Sequence, residues 1–278
     1  MLAPAEVDVA PLVECLRGRS IAVLTGAGIS TESGIPDYRG PGTRARAKDP
    51  MRFEEYTRSG AGRARYWVRA MVGWPSFAAA QPNAGHRAIA TLEDRGVVRG
   101  LVTQNVDRLH HRAGSRDAVE LHGALFDVRC LDCGRREARA DIQARLAELN
   151  PHVQAAVAEM LRPDGDAELP IAWVEGFRVP ACLACGGVIK PDVVFFGEAV
   201  PPAKVEHAYA IVQAADALLV VGSSLTVFSG YRFVRRAAEL GKPIAIVNLG
   251  ETRGDPYACV RIEAPAGAVL GALADALR

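Results

Sequence analysis

The stretch SIAVLTGAGISTESG, residues 20–34, decides the fold class of this 278-residue chain. Residues 20–25 form the short apolar run that a buried strand needs, and a glycine-rich loop and a helix start follow it. Gly26, Ala27 and Gly28 are small enough for backbone N–H groups and a helix N-terminus to approach a pyrophosphate. A simple tight turn also explains a G-x-G after a strand, so the sequence farther along must decide.

Apolar runs farther along the chain extend this pattern into an alternation of strands and helices. Runs that we predict to be buried parallel strands occupy residues 97–103, 193–196, 217–222 and 243–248. Stretches with helical spacing occupy residues 83–95, 202–215, 229–240 and 265–277. The alternation predicts an α/β fold with a Rossmann-like, doubly wound parallel sheet that helices cover on both faces. Position 31 is Thr, whereas an ordinary dehydrogenase would have Gly or Ala there, which argues against a hydride-transfer enzyme.

Composition and charge exclude several classes of protein. Hydrophobic residues make up 49% of the chain and charged residues 23%, which is typical of folded globular proteins and not of disordered ones. The 33 Lys and Arg residues balance 32 Asp and Glu residues, so no overall charge predicts nucleic acid or an anionic membrane as a partner. No apolar run reaches the ~18 residues that span a bilayer, and the first residues do not resemble a signal peptide. We expect a cytoplasmic protein that is a monomer or a weak oligomer.

Polar residues follow the predicted strand at 97–103. Gln104, Asn105 and Asp107 lie at its carboxyl end, where open α/β sheets bind ligands, and their amide and carboxylate groups suit ribose hydroxyls. His122 ends another short apolar run and is a candidate general base near neutral pH. Each residue also has a structural explanation, because Asn105 and Asp107 can cap a helix and His122 can be a hydrogen-bonded structural histidine.

Four of the six cysteines form two C-x-x-C pairs, Cys130 with Cys133 and Cys182 with Cys185, and a glycine follows each pair. Two knuckles of this kind predict a tetrahedral four-thiolate zinc site, which has no open position and is therefore structural. The 48 residues between the pairs imply a folded insertion. A redox role is the competing interpretation, although one C-x-x-C suffices for that chemistry.

Two segments interrupt the alternation of strands and helices, and we predict that they form a smaller domain. Residues 1–36, 86–126 and 191–278 are assigned to a discontinuous, nucleotide-binding Rossmann-like domain. The small domain combines a helical module at 37–85 with a zinc-binding module at 127–190, in which a zinc ribbon holds a helical insertion.

Seven motifs resemble the sirtuin family in order and spacing, over roughly residues 12–270. They are GAGIS-x-x-SGIPDYRG, TQNVDRLH, LHG at His122, the two cysteine pairs, KPDVVFFGE, GSSLTV and VNLG. The segment RYWVRAMVGWPSFAAAQPNAGH resembles a class II-like group that holds bacterial members and a mitochondrial enzyme of weak deacetylase activity. The resemblance implies NAD-dependent removal of acyl groups from lysines of proteins or peptides. NAD would be the co-substrate, nicotinamide and acyl-ADP-ribose would be products, and one Zn²⁺ would be structural.

The resemblance also implies roles for individual residues. Contacts to NAD are implied for Gly26, Ala27, Gly28, Ser30, Thr31, Pro36, Asp37, Tyr38, Arg39, Gln104, Asn105, Val106, Asp107, Gly222, Ser223, Ser224, Asn248, Leu249 and Gly250. His122 would be the catalytic base, with Asn105 and Asp107 at the nicotinamide ribose. Val194, Phe195, Phe196 and Gly197 would line the acyl-lysine tunnel and pair with an extended substrate peptide. Many members have Thr-Ser and Pro-Ala where this chain has Ser223-Ser224 and Phe228-Ser229.

Two other functions stay open, namely mono-ADP-ribosyl transfer to a protein and non-catalytic binding of NAD or ADP-ribose as a sensor. A sensor needs no base, so the joint presence of Asn105, Asp107 and His122 argues against it. The segment 39–69 holds nine basic residues against three acidic ones and is a candidate receptor for an acidic acyl group or a phosphate. A solvated helix face is the alternative for that segment.

Overall fold

The structure is a computed structural model that describes residues 7–37, 50–153 and 174–277, and its elements are numbered in chain order. The strands are β1 Ile21–Thr25, β2 Val98–Thr103, β3 Ala118–Glu120, β4 Gly123–Cys130, β5 Arg136–Ala138, β6 Ile189–Val193, β7 Ala217–Val221, β8 Ile244–Val247 and β9 Val260–Ile262. The α-helices are α1 Ala10–Leu16, α2 Phe53–Arg58, α3 Gly60–Ala79, α4 Ala84–Asp94, α5 Leu109–Ala113, α6 Arg139–Leu149, α7 Pro202–Ala214, α8 Phe228–Glu239 and α9 Ala266–Ala276. Short 3₁₀ helices cover Ala27–Ser33, Pro151–Val153 and Asp255–Tyr257.

Six strands form one parallel sheet in the order β3-β2-β1-β7-β8-β9. β1, β7 and β8 are buried at every position, which explains why their apolar runs have no polar alternation. The chain winds outward from β1 to β3 on one side and from β7 to β9 on the other. The winding reverses between β1 and β7, and ligands bind such sheets at the carboxyl ends of strands beside this reversal. The predicted Rossmann-like sheet is confirmed.

Helices cover both faces of the large sheet. α1, α4 and α9 pack on one face, where Leu12, Ile89 and Leu270 lie in a common core. α7 and α8 pack on the other face and contribute Val212 and Phe233 to a second core. All four predicted helices are present as α4, α7, α8 and α9, and their ends differ from the prediction by at most one residue. Within the three described ranges, no helix is both long and apolar enough to cross a membrane.

A second sheet, which is antiparallel and has three strands in the order β5-β4-β6, lies beside the helical insertion. Cys130 is the last residue of the central strand β4. Trp67 of α3 and Ile142 of α6 share a third core with this sheet. The guanidinium of Arg139 also joins these helices, because it lies 5.3 Å from the ring centroid of Trp67 and 4.8 Å from that of Trp74.

The prediction that residues 193–196 form a strand of the parallel sheet is wrong. Val193 ends β6, which pairs antiparallel with β4, and Phe196 makes only an isolated bridge with Arg52. Pro191 lies in β6, and a proline without a backbone N–H suits the edge position that β6 holds in the small sheet. The domain boundaries stay a prediction, and the boundary between residues 190 and 191 falls inside β6.

Candidate active site

Glycines allow the loop after β1 to cross the loop after β7 at close range. The N–H of Gly28 donates to the carbonyl oxygen of Gly222 at 2.8 Å, and a Cβ on Gly28 would lie 2.8 Å from the Gly222 Cα. A Cβ on Gly26 would meet the Cβ of Ser223 at the same distance, and Gly222 itself has a φ of +62°. Any larger residue would push the loops apart or strain the backbone.

This crossing lines a cavity of about 860 Å³ at the carboxyl ends of β1, β2 and β7. The predicted NAD contacts that line the cavity are Gly26, Ala27, Gly28, Ser30, Asp37, Gln104, Asn105, Val106, Asp107, Gly222, Ser223, Ser224, Asn248, Leu249 and Gly250. His122 and the predicted substrate residues Val194, Phe195, Phe196 and Gly197 line it as well. Thr31 and Pro36 are not among the lining residues, and Tyr38 and Arg39 lie outside the described residues. The cavity is large enough for a cofactor-sized ligand.

A buried hydrogen-bond network joins Ser30, Asn105 and Asp107. The Ser30 hydroxyl donates to Asp107 Oδ2 at 2.7 Å, and the Asn105 amide donates to Ser30 Oγ and to the Gly26 carbonyl oxygen, each at 3.1 Å. Asp107 Oδ1 accepts the Leu109 N–H at 2.9 Å, so the helix-cap explanation of Asp107 also holds. Burial raises the pKa of Asp107, and the hydrogen bonds from Ser30 and Leu109 oppose that rise.

Two buried histidines extend this network. His86 Nδ1 accepts the N–H of Asn83 at 3.3 Å, so the neutral ring carries its proton on Nε2, which is 3.4 Å from Ser30 Oγ. His110 Nε2 lies 2.9 Å from Thr25 Oγ1, and the two imidazoles meet edge to face with centroids 4.8 Å apart. Burial lowers the pKa of His86 to about 4 and takes that of His110 well below its usual range. Sequence analysis missed His86, although the spacing of Asn83 and His86 is that of a helix cap.

His122 lies between β3 and β4 with both ring nitrogens hydrogen-bonded. Nδ1 is 2.9 Å from the Gln104 carbonyl oxygen, which places the proton of the neutral ring on Nδ1. Nε2 is 2.8 Å from Ser229 Oγ, a partner that sequence analysis noted only as a departure from the family pattern. Burial lowers the pKa of His122 to about 4, the hydrogen bond to Gln104 opposes this, and the charges of Lys204 and Arg232 add to it. The imidazole is therefore neutral at pH 7.

The segment after β6 forms another wall of the cavity. Phe195 is buried and Phe196 is 38% exposed. The Val194 N–H donates to the His122 carbonyl oxygen at 2.8 Å, and the Phe53 N–H donates to the Phe196 carbonyl oxygen at 2.9 Å. Those two backbone groups are already used within the chain, so pairing with a peptide would depend on the other groups of the segment.

A buried ion pair holds the same segment in place. Lys190 Nζ lies 2.9 Å from Glu198 Oε2, and the Lys190 side chain is fully buried. The same carboxylate oxygen accepts the Phe195 N–H at 2.9 Å, while Arg129 pairs with Oε1 at 3.0 Å. Burial lowers the pKa of Lys190, and the hydrogen bond and charge of Glu198 oppose this. Sequence analysis missed the pair, whose only signal was a Lys and a Glu at the two ends of KPDVVFFGE.

The model of the Sir2 family matches residues 26–229, which is more than half of the chain. The chain belongs to the Sir2 family. Its similarity to curated sirtuins extends beyond the matched region. NAD-dependent protein deacetylase 1 of Streptomyces coelicolor is 51% identical over 276 residues, which cover 99% of this chain and 92% of that protein. NAD-dependent protein deacylase Sirt4 of Drosophila melanogaster is 51% identical over 259 residues, which cover 92% of this chain and 83% of that protein.

Solved structures of Sir2 proteins share the fold of this sirtuin. A structure described as a basis for the mechanism and regulation of Sir2 enzymes matches with a TM-score of 0.75 at 32% identity and covers 96% of both chains. A complex of Sir2 with a p53 peptide and NAD⁺ matches with a TM-score of 0.76 at 28% identity, and the match covers 96% of this chain and 98% of that one. The resemblance to sirtuins is thus confirmed in sequence and in fold.

The four cysteines of the two pairs meet in this sirtuin as a compact cluster. Cys130 Sγ is 3.6 Å from Cys185 Sγ, Cys133 Sγ is 3.7 Å from Cys182 Sγ, and all four sulfurs lie within 4.8 Å of one another. Tetrahedral zinc with Zn–S bonds of about 2.3 Å separates its sulfurs by about 3.8 Å, so the cluster fits one Zn²⁺. Hydrogen bonds from the Ala184 and Cys185 backbone lower the pKa of the Cys182 thiol to about 7, which favours a metal-binding thiolate.

The basic segment 39–69 is described only from residue 50 onward. Its described basic members are Arg52, Arg58, Arg63, Arg65 and Arg69, and none of these five lines the cavity. Arg58 pairs with Glu54, and Arg65 pairs with Glu55. For Arg58 and Arg65 the solvated helix face is the better interpretation, because their carboxylate partners are local and belong to α2.

Proposed function

We propose that this chain is an NAD-dependent protein lysine deacylase that transfers the acyl group to ADP-ribose and releases nicotinamide. The observation that carries the proposal is a neutral imidazole, His122, in a large cavity lined by two glycine loops. Relatives at 51% identity are named NAD-dependent deacetylase and deacylase, and a Sir2 neighbour is described as bound to acetylated peptide. Acyl-lysine proteins or peptides are the partners that we propose. The cytoplasmic location and the monomeric or weakly oligomeric state stay predictions.

The residues of the cavity divide between two ends of NAD in this proposal. The N–H groups of Gly26 and Gly28 are already donated within the chain, so the Ala27 N–H is the loop donor that we assign to the diphosphate, which the small residues of the loop allow to approach closely. Gly222, Ser224 and Asn248 are assigned to the adenosine end. Gln104, Asn105 and Asp107 are assigned to the nicotinamide ribose, where the Asn105 amide nitrogen is already committed to Gly26 and Ser30 and its carbonyl oxygen is left for a ligand.

The chemistry then depends on a proton that His122 accepts. Bound NAD would supply an anomeric carbon that gains positive character as nicotinamide leaves and is open to attack by the acyl oxygen. His122 Nε2 is the basic nitrogen, because Nδ1 holds its proton against the Gln104 carbonyl oxygen. With a pKa of about 4, the ring is available as a base across the neutral range. The zinc cluster is assigned no chemical step, since four thiolates fill the coordination shell.

The test is to incubate the protein with NAD and lysine peptides that carry acyl groups of different length, and to identify products by mass spectrometry. We expect free lysine peptide, nicotinamide and acyl-ADP-ribose, and a loss of ~100- to 10,000-fold in His122→Asn. His207→Asn, at an exposed position of α7, is the matched control and should retain activity. Equal turnover by His122→Asn would remove the assigned base. ADP-ribose retained on protein would indicate mono-ADP-ribosyl transfer, and tight NAD binding without nicotinamide release would indicate a sensor.

A further inference from the structure

The proposed base of this chain is already occupied by a side chain of its own. Gln104 holds the proton of the neutral His122 ring on Nδ1, so Nε2 presents a lone pair. Ser229 Oγ lies 2.8 Å from Nε2, and with that lone pair facing it the hydroxyl must be the donor. The one ring atom that can accept a proton from a substrate is therefore the atom that Ser229 contacts.

Ser229 is held in place beside the ring by its position in the fold. It is the second residue of α8, it is 8% exposed, and it lines the same cavity as His122. An alanine would occupy the same backbone position without a donor. Ser229 thus adds one hydrogen bond at the base.

We propose that Ser229 is a positioning residue that restrains the base by competing for Nε2. Its hydroxyl must give up its hydrogen bond before the imidazole can accept a proton from a substrate hydroxyl. In that step the substrate O–H bond breaks and the Nε2–H bond forms, while Ser229 keeps its own proton. This inference rests on the proposed function, in which His122 is the base.

The remaining groups that face the imidazole are the same with and without the hydroxyl. Lys204 of α7 and Arg232 of α8 disfavour the charged ring by their own charge, and the Gln104 carbonyl oxygen after β2 favours it. Because none of them is altered by a change at Ser229, a Ser229→Ala variant isolates the hydroxyl. Its donated hydrogen bond stabilises the neutral ring, so its loss should make His122 easier to protonate.

The kinetic test compares wild type, Ser229→Ala and Ser229→Thr with NAD and an acyl-lysine peptide. A neutral hydrogen bond that must break before proton transfer predicts that kcat rises about 2- to 13-fold in Ser229→Ala, with an unchanged KM for NAD. Ser229→Thr keeps the hydroxyl and should behave as wild type. The gain should vanish when Ser229→Ala is combined with His122→Asn, because the effect acts through the ring. Ser115→Ala, which removes another buried hydroxyl outside the cavity, is the control for serine loss.

A second measurement does not depend on activity. Titration of the ¹⁵N-labelled His122 imidazole by NMR should give a pKa that is roughly 0.4 to 1 unit higher in Ser229→Ala than in wild type. A lower kcat in Ser229→Ala would mean that the hydroxyl relays protons, and an unchanged imidazole titration would mean that the hydrogen bond is not formed. Either result overturns the inference. If wild type shows no deacylation, the proposed function fails, and the NMR titration still decides whether Ser229 occupies Nε2.

Discussion

Lowering the pH from 7.5 to 5 should destabilise this sirtuin through His86. The ring is fully buried, and its Nδ1 accepts the N–H of Asn83. A second proton would bind at Nδ1 and turn this acceptor into a donor that faces the Asn83 N–H. Burial lowers the pKa of His86 from 6.5 to about 4 in the folded protein. Below about pH 6.5 the unfolded chain binds a proton that the folded chain refuses, so the free energy of unfolding falls as the pH drops toward 4.

The magnitude follows from the two pKa values. At pH 5 an unfolded pKa of 6.5 and a folded pKa of about 4 remove about 2 kcal/mol relative to neutral pH. His86→Gln removes the titration but keeps a side chain that can accept the Asn83 N–H, because Gln suits the third position of a helix with a capping box. Urea unfolding at both pH values gives the free energies. Wild type should lose about 2 kcal/mol more between pH 7.5 and pH 5 than His86→Gln does.

The difference between the two pH values is the readout, because His86→Gln can also lose stability at both through its contact with Ser30. His122 titrates in wild type and variant alike and cancels in the comparison, whereas the pKa of His110 is lowered in part by the neighbouring His86, so the difference includes this interaction between the two rings. His207→Gln changes an exposed histidine and should follow wild type. An equal acid loss in wild type and His86→Gln would refute the argument.

The remaining predictions concern the metal, the buried ion pair and the glycine crossing. Removing zinc with a chelator, or substituting Cys133→Ser, should lower Tm, because a metal bound by four thiolates would stabilise the small sheet. Added zinc should restore the Tm of the chelated protein. An unchanged Tm would contradict a structural site. Lys190→Met removes the buried partner of the Glu198 carboxylate and should lower the free energy of unfolding in urea by about 3 kcal/mol. Adding Glu198→Gln to Lys190→Met should restore part of that loss. A Lys190→Met variant as stable as wild type would argue against the ion pair. Gly28→Ala should lower the free energy of unfolding by about 1–3 kcal/mol and weaken NAD binding in calorimetry, because the added Cβ would lie 2.8 Å from the facing loop. The control is Gly271→Ala in α9, where the added Cβ meets nothing within 4 Å and should be tolerated. Equal effects of the two substitutions would exclude the close crossing.

The features that sequence predicts well here depend on local pattern. An apolar run without polar alternation is sufficient for β1, β7 and β8, because both faces of a parallel sheet are covered. The two C-x-x-C pairs are recognisable from their spacing alone, and the structure brings all four sulfurs together across the insertion. The glycine loop is recognisable because a strand precedes it.

The features that sequence analysis missed depend on partners far along the chain. Ser229 meets His122 from a helix that begins more than a hundred positions later, and nothing near either residue indicates the contact. His86 Nε2 lies 3.4 Å from Ser30 Oγ, although 56 positions of the sequence separate the two residues. Residues 193–196 look like any buried strand, and only Pro191 indicates an edge strand of a different sheet. Periodicity reports burial, but it does not report which strand lies alongside.

One strand connects the metal cluster with the proposed base. β4 begins at Gly123, directly after His122, and ends at Cys130, so the first thiolate belongs to the eighth residue after the imidazole. At roughly 3.3 Å per residue this strand is about 26 Å long. Near Cys130 it pairs with β5 and with β6, and at Gly123 it pairs with β6. Oxidation of the thiolates would remove the metal that anchors β4 at Cys130, while the proposed base lies directly before the first residue of the same strand. The metal module and the proposed base are thus joined by one continuous stretch of backbone.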